Sequence, residues 1–373
     1  MSKLGKVLVA MSGGIDSTVT AMMLHEQGYE VIGITMKTWD YANSGGNKKE
    51  TGCCSLDSIN DARQVAVTMG FHHFIVDIRE EFGDYVIDNF VDEYMAGRTP
   101  NPCVLCNTHI KWNALLKRAD ALDCEFIATG HYAIIEELNT RKYVKKAVDS
   151  KKDQSYVLWG LSQECLHRSK FPLGPYTKPE VRKMAHDWGY AELSKKAESF
   201  EICFVPDNDY RGFLKRRVPG LEDQVKGGNF ISTKGEVIGT HNGYPFYTVG
   251  QRRNLGKAFG KPMYVTEIRP DTNTVVLGDV DDLIRNGMTV RGVNFMKYPS
   301  IPTDLEVVTK VRYKDSGTLS TIKSNGLLNQ VGVEFHANVR GIAPGQSAVF
   351  YEGDDVVGGG IIQGSALFVP EKN

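Results

Sequence analysis

Long apolar runs are absent from this 373-residue chain. No stretch approaches the roughly 20 residues of a membrane-spanning helix. The first strand-like run begins within a few residues of Met1, which leaves no room for a signal or transit peptide. A cytoplasmic protein with no membrane partner is therefore expected. Cysteine stops at Cys203, and the total of seven is odd. An odd count in a reducing compartment excludes a disulfide scaffold and confines thiol chemistry to the first part of the chain. Excess charge is also missing: 44 Lys and Arg stand against 45 Asp and Glu, for a net charge of −1. The chain as a whole is no general polyanion binder, so contact with nucleic acid requires local basic clusters. Such clusters occur at Lys142, Lys145, Lys146, Lys151 and Lys152; at Arg211, Lys215, Arg216 and Arg217; at Arg252 and Arg253; and at Lys310, Arg312 and Lys314. Taken singly, each reads as a solvated face.

Two common nucleotide motifs are missing as well. There is no Gly-x-x-x-x-Gly-Lys-Ser/Thr, and no Gly-x-Gly-x-x-Gly follows the first strand. The apolar run 7–11 instead breaks, after Ala10 and Met11, into Ser12-Gly13-Gly14-Ile15-Asp16-Ser17 and then into a helical pattern expected from about Thr18. A strand, a glycine turn and a helix start make a phosphate cradle: the glycines let backbone approach an oxyanion, and helix N–H groups face it. Ser12 and Ser17 add hydroxyls, and Asp16 is placed to hold Mg²⁺ or to cap the helix. The order of residues resembles the pyrophosphatase loop of the adenylating ATP pyrophosphatases, which split ATP into AMP and pyrophosphate. The alternative is an ordinary strand-to-helix turn with two glycines.

The length suggests two or three domains. Up to about residue 200, strand-like runs at 7–10, 31–36, 74–76 and 126–129 alternate with helical patterns such as 57–69 and 84–94. This alternation predicts an α/β fold, a doubly wound parallel sheet with ligands at the carboxyl ends of its strands. Met36, Gly130 and His131 fall at such ends, although Met36 and His131 suit a core equally well. Residues 37–55 and the polar stretch 194–209 read as lid-like loops. A mixed, glycine-rich middle follows. Short alternating strands at 306–313, 331–335, 347–351 and 356–362 then read as a small β-barrel. The expected division is 1–205, 206–285 and 286–373.

Thiol chemistry centres on Gly97-Arg98-Thr99-Pro100-Asn101-Pro102-Cys103-Val104-Leu105-Cys106-Asn107. Two prolines fix the backbone before a Cys-x-x-Cys turn that leads into a helix, where thiol pKa values fall, so one of the pair is a candidate nucleophile. A structural zinc site, buried small hydrophobes, or an iron–sulfur cluster on Cys103, Cys106 and Cys203 are the other readings. Zinc lacks a second Cys-x-x-Cys, since Cys53-Cys54 has the wrong spacing. Cys203 lies in a polar stretch, which suits either a sulfur carrier or a half-buried cysteine at a domain junction.

Taken together, these segments and several others resemble the bacterial tRNA-specific 2-thiouridylases. The others are Gly33-Ile34-Thr35-Met36-Lys37, Ala128-Thr129-Gly130-His131-Tyr132, Lys152-Asp153-Gln154-Ser155-Tyr156, Ile202-Cys203-Phe204, Thr248-Val249-Gly250-Gln251-Arg252-Arg253 and the run from Pro344-Gly345-Gln346 to Tyr351. The resemblance covers about residues 5–365. It implies an adenine nucleotide alpha hydrolase-like PP-loop domain, a small central domain and a tRNA-binding β-barrel. It also implies an enzyme that uses ATP with Mg²⁺ to adenylate the C2 oxygen of the wobble uridine, then replaces that oxygen with sulfur. By the same resemblance, Ala10 to Ser17, Met36 and Gly130 bind ATP. Cys203 receives a persulfide sulfur from a donor protein, a cysteine desulfurase or a relay protein. Cys106 is the nucleophile that releases it, leaving a Cys106–Cys203 disulfide. Asn101, Pro102, Cys103, His131, Lys152, Asp153, Gln154, Arg312, Tyr313 and Gln346 contact tRNA. Many relatives carry aspartate at the position of Cys103, so the base position is open here.

Two other classes compete: a nitrogen-transferring synthetase, which would not need Cys106 and Cys203, and a non-catalytic RNA-binding or sulfur-carrier protein with a relic ATP site.

Overall fold

The structure, a computed structural model, describes residues 4–39, 56–195, 202–205, 207–300, 302, 304–324, 326 and 329–366. Of the loop expected at 37–55, Lys37 ends a strand, and residues 40–55, with Cys53 and Cys54, lie outside the described residues. So do 196–201 and 206 of the polar stretch. Contacts divide the chain into two compact units. One comprises Met1–Val86, Cys103–Asn208 and Asp354–Val356; the other comprises Ile87–Pro102, Asp209–Gly353 and Val357–Asn373.

The first unit is built on a five-stranded parallel sheet. Its strands are β1 (Lys6–Ala10), β2 (Glu30–Lys37), β3 (His72–Asp77), β4 (Phe126–Ala128) and a two-residue β7 (Ser169–Lys170), in the order β3-β2-β1-β4-β7. Every pairing is parallel. This is the doubly wound architecture that the alternation predicts. β1 is central, and Val7, Leu8 and Val9 are fully buried, as a strand covered on both faces requires. Helices α1 (Ile15–Glu26), α2 (Leu56–Met69), α3 (Trp112–Ala121) and α4 (Lys178–Asp187) accompany the sheet. Nine of the twelve residues of α1 are buried, so it carries almost no polar face. Its start precedes the expected Thr18 because Gly14 occupies the N-cap in extended geometry (φ −89°, ψ 161°). A hairpin of β5 (Ala133–Leu138) and β6 (Arg141–Lys146) turns at Asn139 and Thr140, both at positive φ, as a tight two-residue turn demands.

The second unit contains a four-stranded sheet in the order β10-β11-β8-β9. Its strands are β8 (Gly228–Ser232), β9 (Val237–His241), β10 (Tyr264–Arg269) and β11 (Thr274–Gly278). It also contains, apart from the first two residues of β17, a closed six-stranded antiparallel barrel of β12 (Ile284–Phe295), β13 (Leu305–Lys310), β14 (Thr318–Ser324), β15 (Gln330–Arg340), β16 (Ser347–Glu352) and β17 (Asp355–Ala366). β12 pairs with both β15 and β17, which closes the ring and removes the free edges. Val331, Val333 and Phe335 alternate into the barrel core with Met288, Ile322, Phe350 and Ile362. The helix Asp88–Met95 belongs to this unit; its Phe90 meets Phe213 at 5.8 Å and its Tyr94 stacks on Tyr210 at 4.8 Å.

Candidate active site

The glycine loop is held from inside. Met11 at the end of β1 donates its N–H to Ile34 O at 2.8 Å, and its carbonyl accepts the hydroxyl of buried Thr35 at 2.7 Å. Ser17 Oγ donates to Gly14 O and accepts from Ser12 N, both at 3.1 Å. The Ser17 hydroxyl therefore closes the loop, and Ser12 is the exposed one. Gly13 sits at φ +69°, and a Cβ there would fall 1.9 Å from Ser58 O. Gly130, just beyond β4, backs so closely on α1 that a Cβ would lie 2.8 Å from Ser17 N. Strand end, loop and helix start thus converge, with the orphan N–H groups of the first turn of α1 at their meeting point. Met36 is half-buried near the end of β2.

Asp16 does not cap α1. It lies in the first helical turn, and its carboxylate receives Lys178 Nζ at 2.7 and 2.8 Å and the Tyr132 hydroxyl at 2.8 Å. Lys178 and Tyr132 are buried. Lys178 is the first residue of α4, after a capping box in which Thr177 and Glu180 bond reciprocally. A cation at a helix start opposes the helix dipole by about 0.3–1 kcal/mol. Asp16 offsets that, as does Asp149, which accepts the Lys178 N–H at 2.9 Å. The sequence reading gave Lys178 no role. The signal available was a lysine placed where helix starts favour carboxylates.

The network continues backward. Tyr132 N donates to Gln154 Oε1 at 3.0 Å and Tyr132 O accepts from Gln154 N at 2.9 Å. Asp153 accepts from Ala147 N at 3.0 Å and from the Ser155 hydroxyl at 2.8 Å. Asp153 and Gln154 thus brace Tyr132 and the segment beside it, while Lys152 is half-buried. His131 stands apart: Trp112 and Phe171 flank its ring at 5.6 and 6.0 Å, and Nδ1 meets Thr129 Oγ1 at 2.7 Å. Burial, reinforced by the charge of Lys111, lowers its pKa to about 3, so the imidazole is neutral and offers RNA no charge.

Cys103 and Cys106 open a helical stretch made of Pro102–Leu105, a wider π-type turn Cys106–Lys111, and α3. The expectation of a depressed thiol pKa fails at Cys103. Its surface is exposed, but the dense protein around it pushes the pKa up, and Lys111 only partly opposes this. Cys106 is buried and Cys203 half-buried, and all three are free thiols. Among the described residues, no three Cys, His, Asp or Glu side chains gather as a metal-binding group. Cys203 lies in a turn closed by Val205 N to Ile202 O at 2.8 Å. Its neighbour Phe204 is inserted between Trp39 and Phe82, with ring centroids 6.4 and 5.8 Å away.

In the second unit, Pro102 is buried and Asn101 half-buried. Arg312 and Tyr313 fall in an exposed turn after β13, not inside a strand as expected, because Asp315 closes the chain there by accepting Val311 N at 3.0 Å. Gln346 turns its amide toward Thr99 and Pro100. Two of the four basic clusters are partly neutralised: Lys146 pairs with Asp354, and in the 211–217 cluster Lys215 pairs with Glu222 and Arg217 with Asp88.

Three family models match the chain: a tRNA methyl transferase HUP domain over residues 5–207, a tRNA methyl transferase PRC-barrel domain over 211–279 and an aminomethyltransferase beta-barrel domain over 285–362. The tRNA-specific 2-thiouridylase MnmA of Amoebophilus asiaticus is 64% identical over 97% of this chain and 96% of its own. The protein of the same name from Cytophaga hutchinsonii is 63% identical over 98% of this chain and 99% of its own. Among solved structures, a 4-thiouridine synthetase bound to RNA and ATP aligns over 58% of this chain and 51% of its own, at 18% identity and a TM-score of 0.35.

Proposed function

The chain belongs to the family of tRNA-specific 2-thiouridylases, and on that premise we propose that it is an ATP-dependent tRNA-uridine 2-sulfurtransferase. What supports the reading most is one compact unit that carries both the Ser-Gly-Gly loop, with Asp16 held by a buried lysine, and the free thiols Cys106 and Cys203.

The 2-carbonyl of uridine is a poor electrophile because its oxygen leaves badly. Attack of that oxygen on the α-phosphate of ATP expels pyrophosphate and turns the oxygen into part of a good leaving group. Loop N–H groups, the exposed Ser12 hydroxyl and the Lys178 ammonium are the groups that meet phosphate oxygens. Lys178 thereby supplies the positive charge that a kinase-type loop takes from its own lysine. Asp16, the loop's one carboxylate, would be the residue to hold Mg²⁺ on giving up part of its bond to Lys178, and the ion would supply positive charge to the pyrophosphate leaving group.

Sulfur arrives as a persulfide on Cys203, delivered by a donor protein. The Cys106 thiolate attacks the inner sulfur, the Cys106–Cys203 disulfide forms and hydrosulfide leaves. Hydrosulfide then adds to C2 and AMP departs. An external thiol reductant restores both cysteines. Asn101, Pro102 and Cys103 border the target base, which has to leave its stack to be reached. Lys152, Arg312 and Tyr313 offer partners to phosphates and bases. The cytoplasm, where tRNA and ATP meet, is the compartment this chemistry requires.

Mass spectrometry of tRNA after incubation with ATP, a persulfide source and the protein tests the proposal. A mass gain of one sulfur for one oxygen at the wobble uridine, with AMP formed in step, is the expected result. Cys106→Ser and Cys203→Ser are expected to abolish thiolated product while tRNA-dependent pyrophosphate release persists. Turnover that survives both substitutions would instead favour a nitrogen-transferring synthetase.

A further inference from the structure

In the run Gly33-Ile34-Thr35-Met36-Lys37 the resemblance gives a role to Met36 alone, yet Gly33 and Thr35 also serve the glycine loop, together with a histidine of β3. Thr35 Oγ1 donates to Met11 O at 2.7 Å and meets His73 Nε2 at 2.8 Å. Met11 O lies in the same peptide plane as the Ser12 N–H, and that N–H donates to Ser17 Oγ at 3.1 Å. The plane from which the loop departs is therefore pinned at both ends: His73 and Thr35 hold its oxygen, and Ser17 holds its N–H. All of these residues lie in the first unit.

Gly33 makes the room for this arrangement. It stands opposite His73 in the pairing of β2 with β3. A Cβ at Gly33 would fall 2.8 Å from Met11 Sδ and 3.0 Å from His73 Cδ2, so a larger residue would push the imidazole or the Met11 side chain aside. The protonation of the ring follows from its neighbours. The Thr35 hydroxyl has one proton, and Met11 O takes it, because a carbonyl only accepts. The ring then has to supply the proton of its contact with Thr35, so Nε2 carries the N–H and, in the neutral ring, Nδ1 is bare. Burial, helped by the charge of Arg63 on α2, lowers the pKa of His73 and favours that neutral ring. Nδ1 is buried and has no hydrogen-bond partner among the described residues. A hydroxyl that accepts a hydrogen bond donates its own proton more strongly, so His73 tightens the bond from Thr35 to Met11.

We propose that His73 is a positioning residue for ATP cleavage: acting through Thr35, it fixes the plane of the Met11–Ser12 peptide and with it the direction in which the Ser12-Gly13-Gly14 backbone leaves β1. The loop N–H groups that follow are those assigned above to phosphate oxygens, and the proposal rests on that reading.

The test compares full-length His73→Phe, His73→Gln, Thr35→Val and Phe71→Leu with the wild type. Phenylalanine keeps a ring and loses the N–H, whereas glutamine retains an amide N–H about where Nε2 stands. Phe71, whose ring borders the same gap beside Gly33, is the control for packing. A misplacement of about 1 Å lowers turnover by roughly 10²-fold, and a group acting through a relay has a smaller effect. His73→Phe is therefore expected to lower kcat for tRNA-dependent AMP formation about tenfold, with KM for ATP within about threefold of wild type. His73→Gln and Phe71→Leu are expected to stay within about twofold in both constants. The Ser12 amide is expected to exchange roughly tenfold faster in His73→Phe and Thr35→Val and unchanged in the other two. In the wild type, nitrogen NMR is expected to show the His73 ring protonated at Nε2 and bare at Nδ1. The opposite tautomer would overturn the proposal without recourse to any variant. Phe and Gln variants that match in turnover and in Ser12 exchange would overturn it too, since His73 would then merely fill space. So would a rise in KM for ATP larger than the fall in kcat, which would mean lost binding and not lost alignment. If the wild type formed no AMP with tRNA, the functional reading would fall, while the tautomer and the Ser12 exchange would still report whether the relay exists.

Discussion

Lys178 and Asp16 are 162 residues apart in the chain, yet the lysine ammonium stands 2.7 and 2.8 Å from the two carboxylate oxygens. The Tyr132 hydroxyl completes the group at 2.8 Å. The contact ties the start of α4 to the start of α1 at the glycine loop, and on the function proposed above it holds the ammonium beside the ATP phosphates. Lys178→Met is expected to lower tRNA-dependent AMP formation by about 10²–10³-fold, the range seen when a preorganised charge or donor is lost from a transition state. Tyr132→Phe removes one hydrogen bond, and an effect of about fivefold is expected. A double-mutant cycle of Asp16→Asn with Lys178→Met in urea unfolding is expected to give a coupling of about 1–2 kcal/mol. Additive effects would mean that the two groups only coincide in space.

Much of this was legible in the sequence. The apolar runs at 7–10 and 31–36 announced buried parallel strands, because strands covered on both faces lack polar alternation. The Ser-Gly-Gly order announced the loop. Lys178 was invisible because it reads as a solvated lysine and because nothing local links it to Asp16. The start of α1 was misplaced by three residues: Gly14 carries no side-chain cap signal, and Ile15 continues the apolar run. At Cys103 the helix-start argument gave the wrong direction, since the protein surrounding a thiol outweighs a weak helix end. The grouping of 87–102 with the second unit also left no trace, because the apolar stripe of Phe90 and Tyr94 does not say which core receives it.

His131 yields a prediction in pH. Its folded pKa is lowered to about 3, against 6.5 for the free side chain. The unfolded chain therefore binds the extra proton first as pH falls. The stabilisation due to its neutrality is complete above about pH 6.5 and is lost progressively toward pH 3, at up to about 1.4 kcal/mol per pH unit. In the folded protein, the His131 ring resonances are expected to stay constant from pH 8 to pH 5. His131→Gln is expected to flatten the acid limb of the unfolding curve and to leave the pH dependence of tRNA affinity unchanged. Titration of the ring near neutrality would show instead that solvent reaches it.

Phe204 is expected to govern access to Cys203. It is 1% exposed, and its ring is an apolar anchor of a turn that the backbone bond from Val205 to Ile202 also closes. Phe204→Ala removes a fully buried aromatic ring, a change that typically lowers stability by about 3–5 kcal/mol. Because Trp39 and Phe82 contact that ring on either side, much of the loss should appear as local opening of the turn rather than as uniform weakening. Alkylation followed by mass spectrometry reads this directly, with faster labelling of Cys203 and unchanged labelling of buried Cys106. Phe204→Leu keeps most of the apolar volume and guards against wholesale unfolding; its Cys203 is expected to label at an intermediate rate. Equal acceleration at both thiols would mean that the whole first unit had loosened. Unchanged labelling of Cys203 would mean that the turn holds without its aromatic anchor.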